Sequence, residues 1–273
     1  MAGRKALQVR SAEKTPQPLR VSKSNELITA PYKLTLIEQR LILAAISRLD
    51  PRKPMPKKVM VTASEYSDIY GLELKHAYMQ MHEAADELYE RDISIMEAGG
   101  RKRRRWVDAA NYSEGAVEIS FTIHVMPYLT KLYNKVTTYD LRRVARVDSV
   151  NTLRLFEMLM QFRKTGWVYL ELEALRSALG LSDAYQRFNN FRQRVIDPSV
   201  KELREKCGLD VDYELIKEGR VFTAIKFSFK DRSQLALPLD SDSETLPPLM
   251  QDDDDPEPEW ALAGPIGDVQ LDE

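Results

Sequence analysis

Between Val150 and Lys230 the chain sets out, in order, a long apolar-rich segment, a short one ending at Gly180, a basic one, and two alternating segments around a tight turn. The basic segment, YQRFNNFRQRVI from Tyr185 to Ile196, constrains the fold most. At about 100° per residue, Tyr185, Phe188, Phe191, Val195 and Ile196 fall on one side of a helix, and Gln186, Arg187, Asn190, Gln193 and Arg194 on the other. Arg192 lies at the margin of the apolar side. One face packs and the other reaches out. Arg can bond guanine O6 and N7 together, and Asn or Gln adenine N6 and N7, so the polar face carries the groups needed to read bases from a DNA major groove. A polar helix face is also common on any surface helix, so the neighbouring elements decide.

Those neighbours are specific. LRSALGL, Leu175 to Leu181, reads as a short helix closed at Gly180, where positive φ lets the chain turn sharply into the basic helix. Ser149 is placed to cap the helix carrying Arg154 to Phe162, and Trp167 to Leu170 reads as a strand. Asp197 and Pro198 suit the cap and first position of a new helix through Lys206. Leu209, Val211, Tyr213 and Leu215, a turn at Glu218 and Gly219, then Val221, Thr223, Ile225, Phe227 and Phe229 form a hairpin. Helix, strand, helix-turn-helix and hairpin make a winged helix.

The same order of elements occurs once more upstream. Thr35 and Glu38 have capping-box spacing at the head of TLIEQRLILAAIS, Val59 to Val61 is a strand, Ser64 caps a short helix ending at Gly71, and Lys75 to Arg91 is a third helix. Tyr78, Met81, Ala85 and Leu88 form the expected buried side of that helix. Lys75, His76, Met79 and Gln80 are exposed near its start, with Glu83, Asp86 and Glu87 further along. Ile93 to Met96 and Val117 to Ile123 are expected to pair as a hairpin whose connection holds the basic run Arg101, Lys102, Arg103, Arg104 and Arg105. Five cations in a wing are suited to DNA phosphates. The fold class is therefore α+β: two tandem winged helices, spanning 21–125 and 148–230, with a basic arm at 1–20 and a connection at 126–147.

Charge divides the chain. Residues 231–273 hold 13 acidic groups and one basic group, whereas residues 1–230 hold 39 basic and 29 acidic ones. The first 230 residues thus carry a net +10 and the tail −12, although the whole chain is only −2. With too little apolar surface to offset its ordering entropy, the tail is expected to be disordered. Its Asp252 to Asp255 run lacks the spaced oxygen ligands of a calcium loop. No apolar run approaches the roughly 20 residues that span a bilayer. MAGRKALQVR lacks a secretory apolar core, and a single cysteine, Cys207, points to a reducing cytoplasm and a structural thiol.

Enzymatic readings lack their residues. The three histidines, His76, His82 and His124, have no metal-binding spacing, and no glycine-rich loop ends in Gly-Lys-Ser/Thr. Tyr128, Tyr133 and Tyr139 have no recognisable activating partners for nucleophilic attack and are expected to pack or stack. No metal, cofactor or catalytic residue is expected.

Three stretches extend the pattern into a family likeness: KSNELITAPYKLTLIEQRLILAAIS, MPYLTKLYNKVTTYDL, and NTLRLFEMLMQFRKTGW followed by LRSALGL and YQRFNNFRQRVIDPSVKEL. Over about residues 21–230 the chain resembles the iteron-binding plasmid replication initiators, the Rep_3 or RepB-like initiator superfamily. The resemblance implies that a monomer grips a directly repeated origin element with both winged helices, and that a dimer represses the initiator's own promoter. It makes Arg187, Asn190, Gln193 and Arg194 the main base readers, beside Gln186 from the polar face, with Lys75, His76 and Gln80 secondary and Arg101 to Arg105 on the phosphates. Further phosphate contacts are expected from Lys131, Lys135, Arg142 and Arg143, in the connection that must set the spacing of the two domains. The broad apolar surface of Leu36, Ile37, Leu41, Leu43 and Ile46 is a candidate dimer face or, equally, the inside of its own domain. Implied partners are origin DNA, a host initiator, the replicative helicase and a second copy of the chain. A dedicated repressor on inverted repeats and a DNA-nicking replication enzyme are the competing readings.

Overall fold

Thr35 and Glu38 close the capping box that their spacing predicts. The Glu38 amide donates to Thr35 Oγ1 at 3.3 Å, and the Thr35 amide donates to Glu38 Oε2 at 2.7 Å. In the computed structural model, which describes residues 19–97, 99–132 and 135–232, that box opens the first winged helix. The expectations for the arm before residue 19, for Tyr133 and for the tail beyond 232 lie outside the described residues.

The chain runs β1 (Arg20–Ser24), α1 (Asn25–Thr29), α2 (Leu36–Ile46), β2 (Val59–Thr62), α3 (Ala63–Tyr70), α4 (Leu74–Leu88), β3 (Asp92–Glu97), β4 (Gly100–Arg105), β5 (Val107–Ser113) and β6 (Ala116–Phe121). It continues through β7 (Val136–Asp140), α5 (Val150–Met160), β8 (Trp167–Glu171), α6 (Leu172–Ala178), α7 (Phe188–Phe191), a π-turn (Arg192–Ile196), α8 (Asp197–Lys206), β9 (Leu209–Glu218) and β10 (Val221–Asp231). The first module sets α2, α3 and α4 against the sheet β2-β6-β5, and the second sets α5, α6 and the α7–α8 helix against β8-β10-β9. Helix order, Gly71 at φ 61° after α3, and the long β9–β10 hairpin follow the sequence reading.

Several local expectations give way. Thr62, not Ser64, caps α3, because Thr62 accepts from the Glu65 amide while Glu65 bonds back to the Thr62 amide. Ser149 stands at the start of α5 but its side chain makes no cap bond. Ile93 to Met96 do not pair with Val117 to Ile123. β3 pairs with β4, which is the basic run itself, while β6 pairs with β2 and β5. The run is therefore a strand and not a loop, since its alternate positions find partners along β3.

The expected connection 126–147 is not a free tether. Its strand β7 pairs antiparallel with β1, Val21 facing Tyr139 and Lys23 facing Thr137, so the residues at the head of the described chain are built into the junction between modules. Lys23 Nζ lies 2.7 Å from Glu157 Oε1 of α5, and the Tyr139 hydroxyl donates to the same oxygen at 2.6 Å. Both charged side chains are wholly buried. Arg154, one turn earlier on α5, donates to the carbonyls of Ala30 at 2.9 Å and Ala178 at 2.6 Å and stacks 3.6 Å from the Tyr32 ring centroid. From the first module, Arg40 donates to the Val147 carbonyl at 2.9 Å, and Arg146 donates to that of Tyr70.

One hydrophobic cluster runs through both modules and this junction. Leu41, Leu43 and Ile46 lie inside it, essentially without exposure, and Leu36 and Ile37 are half-buried against it. The apolar excess of α2 is thus consumed within the chain, so those three residues are not a dimer face in this structure. Cys207 is buried, and burial, with Glu202 nearby, pushes its thiol up to about 12, as befits a structural cysteine.

Removing Lys23 takes from the buried Glu157 its closest cation, leaving the Tyr139 hydroxyl and, 4.0 Å away, Arg154. Lys23→Met is expected to lower unfolding stability by about 3–5 kcal/mol, and Lys23→Met with Glu157→Leu by less than the sum of the two single losses. Urea denaturation of the four proteins measures this; strict additivity would show that the pair is not coupled.

Candidate nucleic-acid interface

The second module's exposed polar face is built from its buried one. Phe191, Val195 and Ile196 are buried, which fixes the rotation of the helix and leaves Asn190, Gln193 and Arg194 exposed together. Phe188 is half-buried, its ring 4.4 Å from that of Phe222 near the turn of the β9–β10 hairpin, and Lys217 Nζ sits 4.5 Å over the same Phe222 ring. Helix and wing are therefore one unit.

Arg187 and Gln186 are exposed but lie ahead of the helix, Arg187 at its N-cap and Gln186 donating to the Ser182 carbonyl at 3.4 Å. The expected helix start at Tyr185 is three residues too early, since the helix begins at Phe188. Tyr185 itself, expected on the packed face, is 36% exposed and has φ 54°. Arg176 of α6 holds this turn. Its Nη1 donates to the carbonyls of Ala184 at 3.1 Å and Tyr185 at 2.6 Å, and its guanidinium lies 4.5 Å over Phe191. Gly180 has φ 69°, and a Cβ there would stand 2.5 Å from the Tyr32 carbonyl oxygen, so the helix-turn-helix is seated directly on the first module.

Asp197 and Pro198 do not begin a separate helix. The Asp197 amide reaches back five residues to the Arg192 carbonyl, and the helix runs on through the π-turn into α8. Proline supplies the reason: it has no N–H for the Arg194 carbonyl, and its ring would clash with that carbonyl in a regular helix. A π-turn opens the space. The Tyr213 hydroxyl donates to the Asp197 carboxylate just beyond the turn, and burial followed by that bond pushes Tyr213 up to about 12. Arg192, half-buried with Nε 3.7 Å from Asp197, faces this junction.

The wing supplies two cations that the sequence reading passed over. Lys217 and Arg220 flank the turn at Gly219, both exposed. The signal was present in IKEGRVF, where a tight turn between alternating strands brings flanking charges to a tip.

The first module presents a different surface. Lys75 and His76 are exposed on the first turn of α4, with His76 Nδ1 3.8 Å from Glu73, but Gln80 is half-buried and accepts from the Tyr66 hydroxyl at 3.4 Å. Tyr78, expected inside, is 40% exposed and lies against the Gly115 turn. Met81, Ala85 and Leu88 are buried as expected. On β4, Arg103 lies 2.7 Å from Asp92, and Arg105 lies 2.9 Å from Glu90 and donates to the Tyr89 carbonyl. Arg101 and Lys102 are exposed, and Arg104 is half-buried. Exposed ion pairs of this kind are weak and screened by water and salt, so Arg103 and Arg105 remain able to exchange an acid for a phosphate.

In the connection, Lys131 and Lys135 are exposed and Arg142 lies 3.6 Å from Asp140. Arg143 points inward. It holds both Asp231 oxygens at 2.9 Å, bonds the Cys207 carbonyl and covers Phe156, which overturns the expectation of a phosphate contact there. Among the described residues no three His, Cys, Asp or Glu gather where a metal ion could be held, and no helix is long and apolar enough to cross a membrane.

Two winged helices locked at a buried junction, one with a cationic helix and wing, define a tandem winged-helix protein. The family model described as initiator replication protein, WH1, matches residues 20–160, and that for initiator Rep protein, WH2, matches residues 171–229. The chain belongs to this replication initiator family. It is 27% identical over 228 residues to a replication initiation protein of Escherichia coli, covering 80% of this chain and 71% of that one. A second Escherichia coli protein, an uncharacterized one of 27.6 kDa, is 25% identical over 224 residues, covering 76% and 94%. Among solved structures, the Pi initiator protein in complex with iteron DNA has the same fold, with a TM-score of 0.68 at 20% identity over 78% of this chain and 98% of that one.

Pro198→Ala restores an N–H below the Arg194 carbonyl. The expected result is a protected amide at residue 198 and displaced NMR resonances at Gln193 and Arg194 as the π-turn tightens. Unmoved resonances at 193–196 would show that proline is not what opens the turn.

Proposed function

We propose that this protein starts plasmid replication by binding directly repeated origin DNA, iterons, as a monomer, one winged helix in each of two neighbouring major grooves. The carrying observation is the joint exposure of Asn190, Gln193 and Arg194 on a helix whose other side is buried, beside the cationic wing of Lys217 and Arg220. Arg187 and Gln186 flank this group and complete the base-reading set. The Pi initiator, similar in fold, is bound to iteron DNA in its structure, which supports the same ligand here.

In this reading Lys75 and His76 make secondary contacts, and Gln80 contributes least because it faces Tyr66. Arg101 to Arg105, Lys131, Lys135 and Arg142 position the sugar-phosphate backbone and carry no sequence information themselves. Bound copies distort the origin and recruit the host initiator and replicative helicase, with the bend offset by the contacts it allows. The dimer represses the chain's own promoter through a face other than Leu41, Leu43 and Ile46, and the protein acts in the cytoplasm by binding, without breaking DNA.

A footprint on DNA flanking the coding region tests this directly. Protection of tandem direct repeats of about 20 base pairs, two turns of duplex, is expected. Protected inverted repeats favour a dedicated repressor, and conversion of supercoiled plasmid to open circle by the protein with a divalent metal favours a nicking enzyme. Within the complex, Arg194→Ala is expected to cost about 1–3 kcal/mol on the specific site and little on random duplex. Arg220→Ala and Arg103→Ala should weaken both and lower the salt slope by about 0.9. Equal loss on both duplexes for Arg194→Ala would remove it from the base readers.

A further inference from the structure

A tyrosine is an unfavourable residue for a left-handed backbone, because its Cβ crowds the neighbouring carbonyl; glycine or asparagine takes that conformation at lower cost. Tyr185 nevertheless has φ 54°. It is not left there by accident of a loose loop, since Arg176 bonds both its carbonyl and that of Ala184 and is itself stacked on the buried Phe191. The clamp holds the backbone only. The Tyr185 hydroxyl forms no hydrogen bond among the described residues, and the residue is 36% exposed two positions before the helix cap at Arg187. Strained, over-determined backbone with an unused polar tip at the edge of a binding face marks a residue held for an outside partner.

We infer that Tyr185 is a DNA-positioning residue whose hydroxyl donates to a backbone phosphate at the edge of the groove entered by the α7–α8 helix, with Arg176 setting its direction through the turn. This rests on the DNA-binding reading above. A phosphate is the fitting acceptor: turn residues ahead of an inserted helix flank the groove, and tyrosine hydroxyls are among the groups that fix register through phosphates. The contact is uncharged on the protein side, so it sets position without adding a released counterion.

The test uses the full chain and a duplex that the wild type enriches from a randomised pool. Tyr185→Phe, which keeps the ring and the turn, is expected to weaken binding of that duplex by roughly 2- to 12-fold, the range for one hydrogen bond, with an unchanged salt slope. Tyr185→Gly, which suits the backbone, should retain the circular dichroism spectrum and bind no better than Tyr185→Phe. A scan of single methylphosphonates along the duplex should find one position that weakens the wild type and not Tyr185→Phe. Wild-type affinity in Tyr185→Phe, or no such methylphosphonate position, overturns the inference while leaving the function intact. Enrichment of no duplex by the wild type overturns the DNA reading and this inference with it.

Discussion

The structure depends on one buried ionic contact between the modules. Lys23 and Glu157 are both removed from water, and a charge so placed is tolerable only with a close partner and further hydrogen bonds. Glu157 obtains these from Lys23 on β1 and Tyr139 on β7. Val21 stands opposite Tyr139, so Lys23, two residues on, shares a face with the tyrosine. A slip of one residue would turn Lys23 to the opposite face. Register in a two-stranded sheet is thereby fixed by a charge on a helix of the other module.

From α5 the constraint passes to the second module's working surface. Arg154, three residues before Glu157, bonds Ala30 on one side and the end of α6 on the other. Gly180 then rests against Tyr32, and Arg176 carries the geometry across the turn to Phe191. Two of these steps are cations on carbonyl oxygens or a ring, and the one between them is backbone seated on backbone at Gly180. Burial and direction come together here, because hydrophobic packing is non-directional and the arginine hydrogen bonds supply the angles.

The sequence was most legible where one periodicity governs one element. The alternation from Leu209 to Phe229 gave the wing, Thr35 and Glu38 gave a helix start, and the apolar stripe from Phe188 to Ile196 predicted which polar residues stay exposed. It was least legible where a residue's role is set by a distant partner. Arg143 looks like any surface cation until Asp231, 88 residues away, closes on it. The Arg101 to Arg105 run looks like a loop because lysine and arginine have no strand pattern of their own, and only pairing with Ile93 to Met96 makes it a strand. Tyr185 fitted the helical stripe by angle, but the turn from Gly180 had not yet finished.

The modules are alike in fold and unlike in chemistry. α4 bears Glu83, Asp86 and Glu87 along its exposed side, whereas the α7–α8 helix has no acid from Tyr185 to Ile196. A polyanion would therefore be held unequally, by side chains of the helix and wing in one module and by a charged hairpin in the other. Such a division works only if the two surfaces are held in fixed relation, since a weak module adds to affinity when its loss of freedom has already been met within the protein. Here that relation is carried by the β1–β7 sheet and its buried lysine rather than by the length of the connecting chain. The spacing of the two surfaces is thus a property of the core, and the connection between modules is part of the fold.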